Sequence, residues 1–206
     1  MILKPQPINH LPWSSVTKAA LTAFVVLCSL SGCNYQKHYS ENDYSFYSKN
    51  FSLDTLSSLR TDGVYILQKI WTDKQGTRAP VSPKEIYKFY PSGQVNLIVD
   101  IDHVFDQQSD YVAAFNNKIK ESKEKNSATL FESYYRLEND RIVIQRMSTP
   151  RKQFVYSYGL LKKDTLIIVK TSHLGKGKIK DEYFTDYYKA YYTFVQTKSN
   201  YTKPNW

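Results

Sequence analysis

From residue 63 onward, apolar and polar positions alternate in short runs separated by turn-forming residues. The stretch "GVYILQKIW", Gly63 to Trp71, is rich in β-branched and aromatic side chains and is bounded by Asp62-Gly63 and the polar "TDKQGTRAPVSP". That is the pattern of a strand followed by a loop. "KEIYKFY" and "QVNLIVDID" flank "PSG", where Pro91 presets φ and Gly93 accepts a positive φ, so they predict a hairpin. A second hairpin is predicted from "TLFESYYRLE" and "RIVIQRMS", joined by Asn139-Asp140, and a third from "QFVYSYGLL" and "DTLIIVKTSH", joined around Lys162 to Asp164. In the last run, "DEYFTDYYKAYYTFVQT", Tyr188, Ala190, Tyr192 and Phe194 keep period two, whereas Tyr183, Tyr187 and Tyr191 also suit a helix. The pattern predicts a strand for the second half.

One stretch has a different period. Between Gln107 and Lys125, Val112, Phe115 and Ile119 fall at i, i+3 and i+7, and the run ends in "KIKESKEKN" with Asn126 as a stop. This is an amphipathic helix whose apolar side covers one face or end of a sheet. About eight short strands in sequential hairpins with one amphipathic helix make a mainly β protein, an antiparallel up-and-down β-barrel or half-barrel. Strand and helix do not alternate, so a parallel sheet is not expected. The single β-rich domain is expected over residues 53–198, opening with Leu53, Leu56 and Leu59 spaced for a short turn or helix. Residues 199–206 read as a C-terminal tail. Residues 34–50 are polar, their tyrosines too dispersed for a core, and read as a tether.

The amino-terminal region obeys other rules. Lys4 and Lys18 occur without an acid, and Ala19 to Leu30, "AALTAFVVLCSL", is an uncharged apolar block too short to span a bilayer. Leu30, Ser31, Gly32 and Cys33 follow, and this run resembles the lipobox of bacterial lipoproteins. The resemblance implies that residues 1–32 are a signal peptide cut between Gly32 and Cys33. It also implies that the Cys33 thiol receives a diacylglyceryl group, that the new amino terminus gains a palmitate-like acyl chain, and that residues 33–52 tether the domain to a membrane. Two or more acyl chains hold a protein stably at a bilayer. Because Asn34, and not an aspartate, follows Cys33, the family's sorting rule points to the outer membrane of a two-membrane cell envelope.

Composition narrows the function classes. Of 28 basic residues only Lys4 and Lys18 would be removed, against 19 acidic ones, so the mature chain is basic. Its lysines are interspersed with acids, and an exported protein meets little nucleic acid, so no nucleic-acid partner is expected. No cysteine follows Cys33, which excludes a disulfide in the folded part. The 18 tyrosines suit a half-buried pleated surface: each has an apolar body and a polar tip, fit to face water or to line a cavity.

Candidate chemistry is sparse. "DIDHVFD" gathers Asp100, Asp102, His103 and Asp106 at a strand end, donors that suit a divalent cation. The competing reading is a solvated corner in which Asp106 or Ser109 caps the helix. "HLGKGKIK" offers Lys176, Lys178 and Lys180 as anion contacts, with Arg151 and Lys152 as neighbours, although it lacks the spacing of a phosphate loop. There is no Gly-x-Ser-x-Gly, no His-Glu-x-x-His, and only His38, His103 and His173 lie beyond Cys33. No cofactor is implied.

The succession "LRTDGVYILQ", "EIYKFYPSGQV", "SYYRLENDRIVIQ" and "LLKKDTLIIVK" resembles the small lipocalin-like lipoproteins over roughly residues 59–171. The resemblance implies a barrel with a mouth. The expectation is a non-enzymatic, lipid-anchored envelope protein whose Tyr65, Tyr87, Tyr135 and Tyr156 line a cavity for a small apolar or amphipathic ligand. The rival expectation is an interaction subunit with a closed core that meets another envelope protein through its tyrosines or the 173–180 loop. A third, a hydrolase, requires an acid and a base converging in a cleft.

Overall fold

The structure, a computed structural model, describes residues 40–54, 56–80, 84–100, 108–124, 132–148, 153–185, 187–197, 200–204 and 206. The strands are β1 (Gly63–Thr72), β2 (Gly76–Arg78), β3 (Lys84–Phe89), β4 (Gln94–Asp100), β5 (Glu132–Glu138), β6 (Arg141–Ser148), β7 (Gln153–Lys162), β8 (Thr165–Ser172) and β9 (Tyr188–Gln196), and helix α1 (Gln108–Glu124) lies between β4 and β5. All are antiparallel in one sheet of order β2-β1-β3-β4-β5-β6-β7-β8-β9, and β9 returns to pair with β1 from Gly63↔Gln196 to Thr72↔Tyr188. The sheet is thus an up-and-down barrel, as the alternation predicted, with β2 outside the ring.

Local chemistry fixes the turns and the closure. Gly93 has φ +86 in the 90–94 turn, where the Gly93 amide donates to Tyr90 O and the Tyr90 amide to Gln94 O. Asn139, a residue that tolerates the left-handed region, has φ +56 in the β5–β6 turn. Register shifts at Leu67/Lys69 and at Tyr158/Gly159 mark bulges, which bend strands enough to close a barrel. At the seam Gly63 lies so close to β9 that a Cβ would stand 2.1 Å from Val195 O.

Period two sorts side chains to the two faces of the wall. Inside are Tyr65 and Leu67 of β1, Tyr87 and Phe89 of β3, Val95 and Leu97 of β4, Tyr135 of β5, Ile142 and Ile144 of β6, Leu166 and Ile168 of β8, and Ala190, Tyr192 and Phe194 of β9. The outer face is covered twice. Tyr111 and Phe115 of α1 pack on Val64, Ile66, Ile86 and Ile98, so the helix lies on the outer wall of β1, β3 and β4. Tyr134, Val143, Tyr156, Tyr158, Ile167 and Val169 form an outer cluster covered by Tyr44 and Phe46 from the amino-terminal side and by Tyr183 and Phe184 from the β8–β9 connection. Every buried ring adds apolar area at ~25 cal/mol per Å², and edge contacts such as Tyr44 to Phe154 at 5.1 Å orient them.

Three expectations change. The loop after β1 contains β2, whose three residues are all exposed and so carry no hydrophobic pattern. At 53–59 the turn alternative holds, with the Ser57 amide donating to Asp54 O at 3.0 Å, and Leu53 and Leu59 cap the interior cluster while Leu56 is 90% exposed. The tyrosines of the expected tether are not all free of a core. The Phe46 amide donates to Gln145 Oε1 at 2.9 Å and the Tyr44 ring lies 5.0 Å from that of Tyr134, so residues 44–46 belong to the folded wall. The C-terminal residues are docked as well, with the Thr202 amide donating to Asn116 Oδ1 at 2.7 Å and Gln94 Nε2 to Trp206 O.

Candidate functional site

The two ends of the barrel differ. At the lower end, where the 91–93, 139–140 and 163–164 turns lie, Phe51, Leu53 and Leu59 pack beneath the interior cluster. Arg60 pairs with Asp62 at 2.8 Å and with Asp164 at 3.2 Å, and lies 4.0 Å over the Phe194 ring. Tyr65, Phe89, Val95, Tyr135, Ile142, Ile144 and Leu166 have 0% exposure, so water reaches none of them and the lower half is filled by side chains. Two hydroxyls here are committed to the backbone: Tyr135 Oη donates to Tyr90 O at 2.8 Å, and Tyr65 Oη accepts from the Arg60 amide at 3.0 Å.

Toward the upper end the interior turns polar. Glu85 precedes Tyr87 by two on β3, Arg146 follows Ile144 by two on β6, and Tyr188 and Tyr192 occupy the inward positions of β9. Tyr192 Oη donates to Glu85 Oε2 at 2.5 Å, and its ring stands 5.1 Å from that of Tyr87. Tyr87 senses the Arg146 charge and the Ser157 hydroxyl, whose Oγ lies 3.2 Å from Thr171 Oγ1. Burial drives the Tyr87 hydroxyl far above the ordinary phenol range, and Glu85 adds to it while Arg146 and Ser157 oppose it. Tyr192 is raised well above that range by burial, then by Tyr87 and Glu85. Both phenols are neutral donors at physiological pH. The Arg146 Nε is buried and makes no hydrogen bond among the described residues. Exposure rises from 0% at Tyr135 through 4% at Tyr87 to 37% at Tyr188, so the polar layer lies nearer to solvent than the floor does.

The four tyrosines expected to line one cavity divide three ways. Tyr65 and Tyr135 are floor residues, Tyr87 belongs to the polar layer, and Tyr156 is on the outer face against Phe46 at 5.9 Å. Tyr156 sits in a strand apolar on both faces, where period two does not say which side is inward. Lys176, Lys178 and Lys180 are exposed in the connection that crosses the outer wall, and Lys180 pairs with Glu182 at 3.7 Å. Asp100 is buried at the end of β4, and Asp102, His103 and Asp106 lie outside the described residues, among which no metal-ligand cluster occurs. Cys33 and Gly32 also lie outside them. The residues that sequence reasoning missed are Glu85, Arg146, Ser157 and Tyr192. A signal existed for Arg146, since "IVIQR" alternates Ile142, Ile144, Arg146 and so sets a cation on the core face.

Comparison of the chain with protein-family models, with curated proteins and with solved structures finds no match. Among the described residues no helix is long and apolar enough to cross a membrane.

Proposed function

We propose that this protein is a lipid-anchored envelope protein, held to the membrane through Cys33, whose barrel binds a small amphipathic ligand at its upper end. The ligand's acidic group meets Arg146 and the Tyr87 hydroxyl, and its apolar part lies on the rings above the filled floor. The observation that carries this reading is the buried Arg146 Nε without a partner on an inward position. The side chain as a whole is partly exposed, so a ligand at the rim can reach the guanidinium, and planar carboxylate is the group its fork fits.

The reading is tested by titrating the full chain with a dansyl-labelled undecanoic acid and with its methyl ester. Saturable fluorescence for the acid, at least tenfold weaker for the ester and for Arg146→Met, supports it; equal binding of acid and ester overturns it. Intact-mass analysis of the membrane-extracted protein beside Cys33→Ser tests the anchor. A mass for residues 33–206 plus acyl chains, absent in the variant, is expected.

A further inference from the structure

At the upper end, β1 runs beyond the ring and its outer face carries a checkerboard of cations and rings. Lys69 and Trp71 of β1 stand opposite Tyr191 and Lys189 of β9. Lys69 Nζ lies 4.8 Å from the Tyr191 ring centroid and Lys189 Nζ 5.1 Å from that of Trp71, so all four project to the same side. Beside them, Tyr187 is 70% exposed and its carbonyl accepts from the Asp73 amide in the turn that also holds exposed Lys74. Among the described residues Asp73 is the acid that lies in the same turn as Lys74. Lys69 and Lys74 form no ion pair among the described residues, whereas the lower end is neutralised pair by pair, Arg60 with Asp62 and Asp164, Arg141 with Asp181.

We infer that this β1–β9 face is a membrane-contact surface that seats the barrel's upper end against a bilayer containing anionic lipids. Indole and phenol rings have an apolar body and a polar edge that suit the headgroup level, and lysine stems cover apolar surface while their ammonium groups reach phosphates. Lys69 and Lys74, exposed and in no ion pair among the described residues, are attracted to an anionic leaflet. An acidic protein partner would use the lysines but gives no reason for three exposed or half-exposed aromatics between them. The inference rests on the envelope location proposed above, yet not on acylation of Cys33, since the surface is built from folded residues alone. It directs the polar layer of Glu85, Tyr87 and Arg146 toward the source of an amphipathic ligand.

The test uses full-length Cys33→Ser protein, which cannot be acylated at that position, with Trp13→Phe and Trp206→Phe leaving Trp71 as the sole tryptophan. It is mixed with phosphatidylcholine vesicles, with or without phosphatidylglycerol, that carry a nitroxide-labelled headgroup. A second protein has Trp71→Phe in addition and Leu56→Trp, which reports on the lower end. The expected result is Trp71 emission quenched at least twofold more with phosphatidylglycerol, cancellation of that difference by Lys69→Glu with Lys74→Glu, and no difference for the Leu56→Trp probe. Trp71 quenching that is absent, indifferent to phosphatidylglycerol, unchanged by the charge reversal or matched by the Leu56→Trp probe overturns the inference. An intact mass without acyl chains would overturn the anchor alone, because the vesicle measurement is made on unacylated protein.

Discussion

Tyr192 on β9 and Glu85 on β3 are separated by β1 in the wall, yet their side chains meet inside the barrel through a 2.5 Å hydrogen bond from the Tyr192 hydroxyl to the Glu85 carboxylate. This bond spans a strand that the backbone ladder does not skip, so it braces the seam where β9 closes on β1. Hydrogen bonds to charged groups contribute about 1.5–3 kcal/mol, and the expected loss of stability for Tyr192→Phe is of that order. Urea denaturation of Tyr192→Phe, Glu85→Gln and the double variant forms the cycle that isolates the bond; additive losses would rule it out as a brace.

Arg146→Met is expected to leave stability unchanged or to raise it slightly, because the variant keeps the stem's packing and removes an Nε–H that is buried without a bond. Ligand binding would be lost in the same variant. A large destabilisation, read from the urea midpoint, would make Arg146 a structural residue instead.

Lys88 sets a pH dependence of its own. Its ammonium is enclosed by Thr61 O, Gly63 O and the Tyr201 ring at 3.8 Å, and burial lowers its pKa to about 8 from 10.5, against the pull of Asp62. Below pH 8 both folded and unfolded chains hold the proton and the cost of burying the charge is complete. Between 8 and 10.5 the folded chain has released a proton that the unfolded chain keeps, so this group's contribution to stability rises with pH. Denaturation midpoints for the parent and Lys88→Met are expected to diverge in slope between pH 8 and 10, and parallel curves would contradict the assignment.

The buried tyrosines act in the opposite sense at higher pH. Tyr65 is pushed up to about 12, chiefly by burial and partly offset by the Arg60 amide, and Tyr87 and Tyr135 go further still. A phenol whose folded pKa lies above its unfolded value of 10 supports the fold fully below 10, and that support is lost as pH climbs toward the folded value. Phenolate absorbance is therefore expected in two parts. The second part belongs to the buried rings, which ionise together with loss of the near-ultraviolet circular dichroism.

Gly177→Ala tests the outer cover. Gly177 has φ +71, and a Cβ there would stand 2.3 Å from Phe46 Cζ, a ring held on the wall through the Phe46–Gln145 bond. Left-handed backbone costs a residue with a Cβ about 1–2 kcal/mol before any clash, so the expected loss is ~2–3 kcal/mol. Gly76→Ala, at φ +65 with nothing near, isolates the backbone share.

The barrel was legible in the sequence because seven of its strands are bounded by residues with turn chemistry, Pro91-Ser92-Gly93 and Asn139-Asp140 above all, and because β1, β4, β6 and β9 alternate or carry β-branched runs. What was not legible is non-local. Tyr44 and Phe46 look like tether residues until Gln145, about a hundred positions later, presents an acceptor to the Phe46 amide. Tyr156 was assigned to the wrong face since Val155 and Tyr156 are both buried, one on each side. The polar layer needed three strands read together: Glu85, Arg146 and Tyr192 each resemble an ordinary surface or sheet residue until barrel closure turns them toward one another.

The filled floor has a mechanical consequence. With Tyr65 and Tyr135 sealed and Phe51, Leu53 and Leu59 beneath them, the barrel is closed at its lower end and is not a conduit. On the proposed reading an occupant would have one door: it would back out past the rim by which it arrived, occupants could not pass in single file, and residence time would be set by the height of that single rim.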